Sequence, residues 1–220
     1  MLKNKQETEL ARPFFSVVIA TYNRAILLKR ALNSLIAQTE KDWEAIIVDD
    51  ESTDLTYLHI SHYLELYPNI RYSRQTHSGE AVSKNMGISL ATGKYITFLD
   101  SDDEFSPSHL ESRKTILHQH PEVGFLYGGA KIIGNQYVPD RFDHTKKINL
   151  KDCAIGGTFF VERSILNMLQ GFNKILLGTD ADLIDRIKNA GINMIEVNQP
   201  TYIYHHETED SITNKLYTNA

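Results

Sequence analysis

A single cysteine, Cys153, has no partner in the chain, so no internal disulfide can hold this fold. No apolar run approaches the roughly 18 to 20 residues of a membrane-spanning helix, and no basic-then-apolar leader opens the chain at Met1-Leu2-Lys3-Asn4-Lys5. Both absences point to a cytoplasmic protein, with peripheral contact at the inner face of a membrane left open. Basic residues are not in excess either: 23 Lys and Arg face 28 Asp and Glu, for a formal net charge of -5. No nucleic acid is therefore expected as a partner. Repeats and low-complexity tracts are missing too. What remains is an ordinary globular composition, 41% hydrophobic and 23% charged over 220 residues, enough for one large core or two small ones.

The patterning alternates strands and helices. A β-branched strand is predicted over Phe14 to Ala20, and a helix from Arg24 to Gln38, on Leu28, Ala31, Leu32, Leu35 and Ile36, with Asn23 as its cap. Strands follow at 44–49, 69–74 and 94–99, separated by helices near 54–66 and 79–91. Gly93 stops the last of these, and Ser106-Pro107 opens another helix that runs to about His120. The second half is less regular. It reads as a strand at 123–127, turns at Gly128-Gly129 and Gly134-Asn135, and a polar loop or short strand over 139–152. A strand over Ala154 to Val161 carries Gly156-Gly157, Leu183, Ile184 and Ile187 mark a helix stopping at Gly191, and a short strand spans 193–197. The fold class is α/β: a Rossmann-like, mostly parallel central sheet flanked by helices. A flexible N-terminus (1–12) precedes a nucleotide-binding half (13–125) and an acceptor half (126–220) of one domain.

Two of the strands run into acids: Ala45-Ile46-Ile47-Val48-Asp49-Asp50 and Ile96-Thr97-Phe98-Leu99-Asp100-Ser101-Asp102-Asp103. Carboxylates are seldom buried unless paired or bound to a cation, and open α/β sheets bind ligands beyond the carboxyl ends of their strands. A divalent cation carrying a phosphorylated substrate fits that placement.

Val18-Ile19-Ala20-Thr21-Tyr22-Asn23-Arg24, Val48-Asp49-Asp50-Glu51-Ser52-Thr53-Asp54, Lys84-Asn85-Met86-Gly87 and the run from Gly93 to Asp103 resemble, in order and spacing, the family 2 glycosyltransferases. Gly178-Thr179-Asp180-Ala181-Asp182-Leu183 and Tyr202-Ile203-Tyr204-His205-His206 match more loosely. The resemblance implies the A-type glycosyltransferase fold, a nucleotide-sugar donor, inversion at the anomeric centre, and Mg²⁺ or Mn²⁺. It implies that Asp102 binds the metal directly and that His205, or else His206, completes the shell. Asp100 and Ser101 would lie on the nucleotide side, Asp50 would hydrogen-bond the base, Tyr22 would stack near it, and the backbone at Ala20 and Thr21 would close the pocket. A carboxylate accepts the imide N–H of uracil, which favours a UDP-sugar. Lys84 stands where many relatives carry Arg and meets either a phosphate or solvent; Asn85 and Gly87 pack the helix on the strand below. Asp180 is the implied base, although the residue before it is Thr179 where the family has Glu.

Bland readings accompany these. Asp49, Asp50, Ser52 and Asp54 suit turns and helix caps, Asp103 suits a cap or a place behind the metal, and Asp182 and Arg186 suit an i,i+4 surface pair. Among other α/β classes, a receiver domain carries its acidic pair on the first strand, and a haloacid-dehalogenase-type nucleophile loop follows the first strand; neither holds here. A nucleotidyltransferase has a Gly-rich loop after its first strand, whereas Thr21-Tyr22-Asn23-Arg24 has no glycine. A nucleotide-sugar-binding relative without transfer activity is the other alternative. The acceptor is expected to be a glycan or a lipid-linked sugar of the cell envelope. Trp43 is the only tryptophan, so the Gln-Arg-Trp motif of processive synthases is missing, and one sugar per encounter is expected.

Overall fold

The computed structural model describes residues 12–143, 145–175 and 177–207, so the N-terminus expected to be flexible lies outside it except for Arg12. Four parallel strands form its frame: β1 (Phe15–Thr21), β2 (Trp43–Asp49), β3 (Ile70–Arg74) and β4 (Tyr95–Phe98). Nearly every residue of β1 and β2 is buried, as expected for parallel strands covered on both faces. Helices α1 (Leu27–Ile36), α2 (Thr56–Leu66) and α3 (Glu80–Leu90) connect them. The chain continues through β5 (Glu104–Phe105), α4 (His109–Gln119), β6 (Phe125–Tyr127), β7 (Ala130–Gly134), β8 (Tyr137–Pro139), β9 (Lys147–Asn149), β10 (Phe160–Glu162), α5 (Arg163–Leu169), α6 (Thr179–Asn189), β11 (Met194–Glu196) and β12 (Tyr202–His206).

Seven strands make the central sheet in the order β11-β6-β10-β4-β1-β2-β3, and β10 alone runs antiparallel to its neighbours. Strands from both halves of the chain share it. Side chains alternate faces along β1: Val17 and Ile19 pack with Leu28, Leu32 and Leu35 of α1, whereas Val18 packs with Ile88, Leu166 and Leu183 from α3, α5 and α6. Gly87 lets α3 approach β1 closely, since a Cβ there would lie 2.3 Å from Val18 Cγ1. A second, three-stranded sheet, β5-β12-β7, covers one end, and β8 and β9 form a separate hairpin.

The order places a switch point between β1 and β4. Chain leaves β1 towards β2 and β3 on one side and returns through α3 to β4 on the other, the arrangement at whose carboxyl ends open α/β sheets bind ligands. Tyr22 follows β1, Asp50 follows β2 and Asp100 follows β4, so three of the implied site segments lie at the same end of the sheet.

Two local expectations are overturned. The first helix starts at Leu27, and Asn23 caps nothing: with φ at 53°, it accepts the Thr53 and Asp54 N–H groups at 2.8 and 3.2 Å on Oδ1. It stitches the β1 loop to the β2 loop instead. The segment from Ala154 to Val161 is a strand only at its end; Gly156–Thr158 form a 3-10 turn closed by Thr158 Oγ1 donating to Ile155 O at 2.7 Å. Two adjacent glycines weaken a strand, and the hydroxyl offers the backbone a competing partner.

At the opposite end of the sheet, Glu44 is a buried anchor. Its Oε1 accepts from Ser16 Oγ and Thr92 N, both at 2.6 Å, and from Thr92 Oγ1 at 2.8 Å, while Arg71 pairs with Oε2 at 2.6 Å. Burial alone would raise its pKa, but these donors outweigh it and hold it below the ordinary glutamate value. Glu44→Ala strands several buried donors and is expected to cost about 3 kcal/mol. Thermal unfolding should then show a midpoint lower by roughly 6 to 12 °C.

Candidate active site

Asp100 and Asp103 bracket a tight turn, with Asp103 N donating to Asp100 O at 3.0 Å. Arg30 of α1 donates to the Asp102 carbonyl and lies 3.6 Å from Glu104. Asp103 is buried and serves as neither cap nor free acid: it accepts from Tyr202 Oη at 2.6 Å and from His205 N at 2.7 Å. These bonds pin β12 to the acidic turn. Burial, then repulsion from Asp100, pushes the Asp102 carboxyl up, and burial with Asp100 and Asp102 pushes Asp103 well up despite its donors. Negative charge is crowded here and only partly offset, by Arg24 near Asp102 and Lys84 near Asp100.

His205 donates Nε2–H to Glu104 Oε1 at 2.8 Å if it is the Nδ1-unprotonated tautomer, and Nδ1 is buried with no hydrogen bond, its nearest acid, Glu207, being 4.0 Å away. A carboxylate that fixes one ring nitrogen and leaves the other bare is the usual support of a metal-binding histidine. His206 is turned away, its Nδ1 2.8 Å from Asn135 O. Hard carboxylate oxygens with one imidazole suit Mg²⁺ or Mn²⁺. Among the described residues, no three His, Cys, Asp or Glu side chains converge on one point. The remaining ligands would have to come from water and substrate oxygens, as is common for Mg²⁺.

Lys84 is not solvated. It is 4% exposed, 2.6 Å from Glu80 and 3.1 Å from Asp100, under the rings of Phe98 and Phe172. Burial opposes its charge, but Asp100, Glu80 and Asp180 together raise its pKa well above normal, so it is a fixed cation. Asn85 departs from simple packing, since its amide both donates to and accepts from the Phe172 backbone at 2.8 Å.

Asp180 lies in the first turn of α6 and does not cap it; the preceding Gly178 occupies the cap. Its Oδ2 accepts the Gly156 N–H at 2.8 Å, and Oδ1 is buried without a partner. Burial raises its pKa to about 6, against the pull of Lys84, with Glu80 and Asp100 adding to the rise. The Asp182–Arg186 pair is present at 2.8 Å.

Asp50 is fully engaged. Gln75 Nε2 (2.7 Å) and Ser78 N (2.9 Å) donate to Oδ1, while Gly79 N (2.8 Å) and His77 Nδ1 (2.9 Å) approach Oδ2. Burial raises its pKa, but these partners, Gln75 foremost, bring it below normal. Asp49 is a turn residue, accepting from Ser52 N and Tyr72 Oη at 2.7 Å each, and Asp54 accepts from Thr56 N at 2.9 Å. The half-exposed Tyr22 ring faces His77, with centroids 4.3 Å apart. Thr21 and Ser101 are buried, Ala20 is half-buried, and Thr21 Oγ1 has no partner. Sequence reasoning misses His77 and Gln75 altogether, and it places Tyr202 and Gly156 only within a loosely matching segment and a predicted strand, with no role in the site.

Residues 16–175 match the family described as Glycosyl transferase family 2. The chain belongs to that family. Its family 2 relatives include an Escherichia coli protein named UDP-Glc:alpha-D-GlcNAc-diphosphoundecaprenol beta-1,3-glucosyltransferase, 29% identical over 69% of this chain and 61% of its own. Another, from Campylobacter jejuni, is named GalNAc(5)-diNAcBac-PP-undecaprenol beta-1,3-glucosyltransferase and is 28% identical over 94% of this chain and 70% of its own. Among solved structures, S. aureus TarS 1-349 in complex with UDP-GlcNAc superposes with a TM-score of 0.75 at 21% identity, covering 90% of this chain and 60% of that one. The Pyrobaculum calidifontis mannosyltransferase in complex with GDP-Man and Mn²⁺ gives 0.71 at 20% identity, covering 88% and 57%. The fold is therefore that of these enzymes, and this family 2 chain spans about three fifths of the length of the E. coli relative and of the TarS 1-349 fragment. Among the described residues, no helix is long and apolar enough to cross a membrane.

Proposed function

We propose that this chain is an inverting, metal-dependent glycosyltransferase that moves a sugar from a UDP-sugar to a hydroxyl of a glycan or lipid-linked acceptor. The observation that carries the reading is Asp180: a buried carboxylate with one oxygen held and the other bare, beside the Lys84–Asp100 pair at the switch point. Asp180 Oδ1 takes the acceptor's hydroxyl proton. The oxygen then bonds to the anomeric carbon from the face opposite the diphosphate, and the carbon–oxygen bond to the diphosphate breaks with its electron pair leaving on the nucleotide. Asp102 and His205 are the residues that would hold Mg²⁺ or Mn²⁺, which when bound neutralises charge developing on the leaving diphosphate. Lys84 holds Asp100 in place and keeps a positive charge between the departing phosphates and the base.

The base of the nucleotide is assigned to the Tyr22–His77 pair. With its acceptor sites taken by Gln75, His77, Ser78 and Gly79, Asp50 holds the loop before α3, and a direct bond to uracil would require Gln75 or His77 to move. A UDP donor is favoured by the names of the E. coli relative and of the TarS complex. The name of the E. coli relative likewise favours a diphospholipid-linked acceptor.

Titration calorimetry with UDP, GDP and dTDP, each with Mn²⁺ and then EDTA, tests this. Binding of UDP that EDTA removes is the expected result. Equal metal-free binding of all three, or tight binding of GDP alone, would overturn the donor assignment. The inactive-relative alternative predicts UDP binding without UDP release from UDP-glucose in the presence of a GlcNAc-diphospholipid.

A further inference from the structure

Two adjacent glycines, Gly156 and Gly157, stand between the two halves of the site. Neither has a positive φ, so backbone freedom is not what requires them. Space is. A Cβ on Gly156 would lie 2.6 Å from Asp180 Oδ1 and 2.8 Å from its Cγ and Oδ2. A Cβ on Gly157 would lie 2.1 Å from both Cζ and Oη of Tyr202. Tyr202 Oη in turn holds Asp103 at 2.6 Å and lies 3.4 Å from Asp100 N, which donates to it. The turn is itself fixed, by Phe159 N donating to Gly156 O at 3.0 Å and by Gly128 N donating to Thr158 Oγ1 at 3.0 Å.

We propose that the Gly156–Gly157 turn is the positioning element that sets the base against the acidic turn. On one side, the Gly156 N–H fixes Asp180 Oδ2 and the missing Cβ admits the carboxylate, so that Oδ1 is the oxygen left for the acceptor proton. On the other, Gly157 seats the Tyr202 ring, which fixes Asp103 and with it the Asp100–Asp102 turn. One rigid turn thereby sets the distance between proton removal and leaving-group stabilisation, and a misplacement of about 1 Å costs on the order of 10²-fold in rate. The inference rests on Asp180 being the base. Around that carboxylate stand Glu80 and Lys84 of α3 and Asp100 of the acidic turn, which all contribute to its titration, while Tyr204 of β12 faces it as a neutral hydroxyl that Asp180 itself helps to keep protonated.

The test is the pH dependence of the Gly156 amide in ¹H–¹⁵N spectra of the metal-free protein. Its proton resonance should move with a midpoint near 6, the value to which burial raises Asp180, and the movement should vanish in Asp180→Asn. A Gly156 amide that does not titrate overturns the proposal, and this measurement needs no glycine variant to fold. Titration with UDP and Mn²⁺ supplies the second arm: Gly156→Ala should bind within about twofold of wild type, whereas Gly157→Ala should bind about tenfold more weakly. Wild-type UDP affinity in a folded Gly157→Ala also overturns it. The outcomes separate from those of the base assignment. If the amide titrates and Asp180→Asn still transfers sugar, the seat stands and the base reading falls; if Asp180→Asn is inactive and the amide is flat, only the seat falls.

Discussion

Asp180→Asn is expected to lower sugar transfer by about 10³-fold while UDP binding with Mn²⁺ stays within about twofold of wild type. General-base removal typically costs 10² to 10⁴, and the amide side chain keeps the shape of the carboxylate but cannot take a proton. The Gly156 N–H still finds an oxygen, so the helix start is preserved. In wild type, the rate should fall about tenfold per unit as pH drops below the Asp180 pKa, near 6, because only the ionised form accepts the proton. The stability linkage has the opposite sense. A carboxyl whose folded pKa is raised contributes stability at low pH that is lost as pH rises through about 6, so at pH 8 Asp180→Asn should melt no lower than wild type. An inactive variant with an undiminished melting point identifies a lost proton acceptor rather than a lost fold. Wild-type transfer by Asp180→Asn would sink the assignment.

Asp102→Ala should weaken metal-supported UDP binding by at least about 10²-fold, since a cation stabilising diphosphate charge is worth several kcal/mol. The same change should stabilise the metal-free protein. Burial and Asp100 raise the Asp102 carboxyl, and Asp103 is raised by burial and by both neighbours. Raised folded values mean that the acidic turn is most stable below the ordinary aspartate pKa and loses stability as pH climbs through the folded values. Removing Asp102 relieves part of that repulsion. Its melting point without metal should therefore exceed that of wild type at pH 8, and the gap should narrow towards pH 4. Mn²⁺ should raise the melting point of wild type and leave that of Asp102→Ala unchanged. A variant that is destabilised without metal and still responds to Mn²⁺ would show that Asp102 does not hold it.

The first half of the fold was legible because β1, β2 and β4 are buried on both faces and so spell continuous β-branched and aromatic runs, while α1 repeats Leu28, Leu32 and Leu35 at helical spacing. The acids that end those strands mark the same end of the sheet, although Asp49, Asp50 and Asp103 turn out to serve hydrogen bonds within the fold. Legibility fails where partners come from afar. Nothing local says that Lys84 is enclosed by Phe98 and Phe172, or that Asp50 is spent on Gln75 and the Ser78–Gly79 backbone. Asn23 has the composition of a cap, yet its partners are thirty residues on. Gly156-Gly157 sits in an apolar stretch that spells a strand as readily as a turn, and only the bulk of Asp180 and Tyr202 beside it reveals why both are glycine.

The bond from Tyr202 to Asp103 spans 99 residues, and that from His205 spans 102. During synthesis, the segment carrying Tyr22, Asp50, Lys84 and Asp102 leaves the ribosome long before the strand that fixes its acidic turn. Until β12 arrives, Asp103 has neither of these two donors, and the acidic turn is held by its own Asp103 N–H to Asp100 O bond and by Arg30 and Lys84. The acidic turn is thus completed only by the last described strand, and a fragment ending near residue 125 would lack both donors to Asp103 however well its sheet had formed.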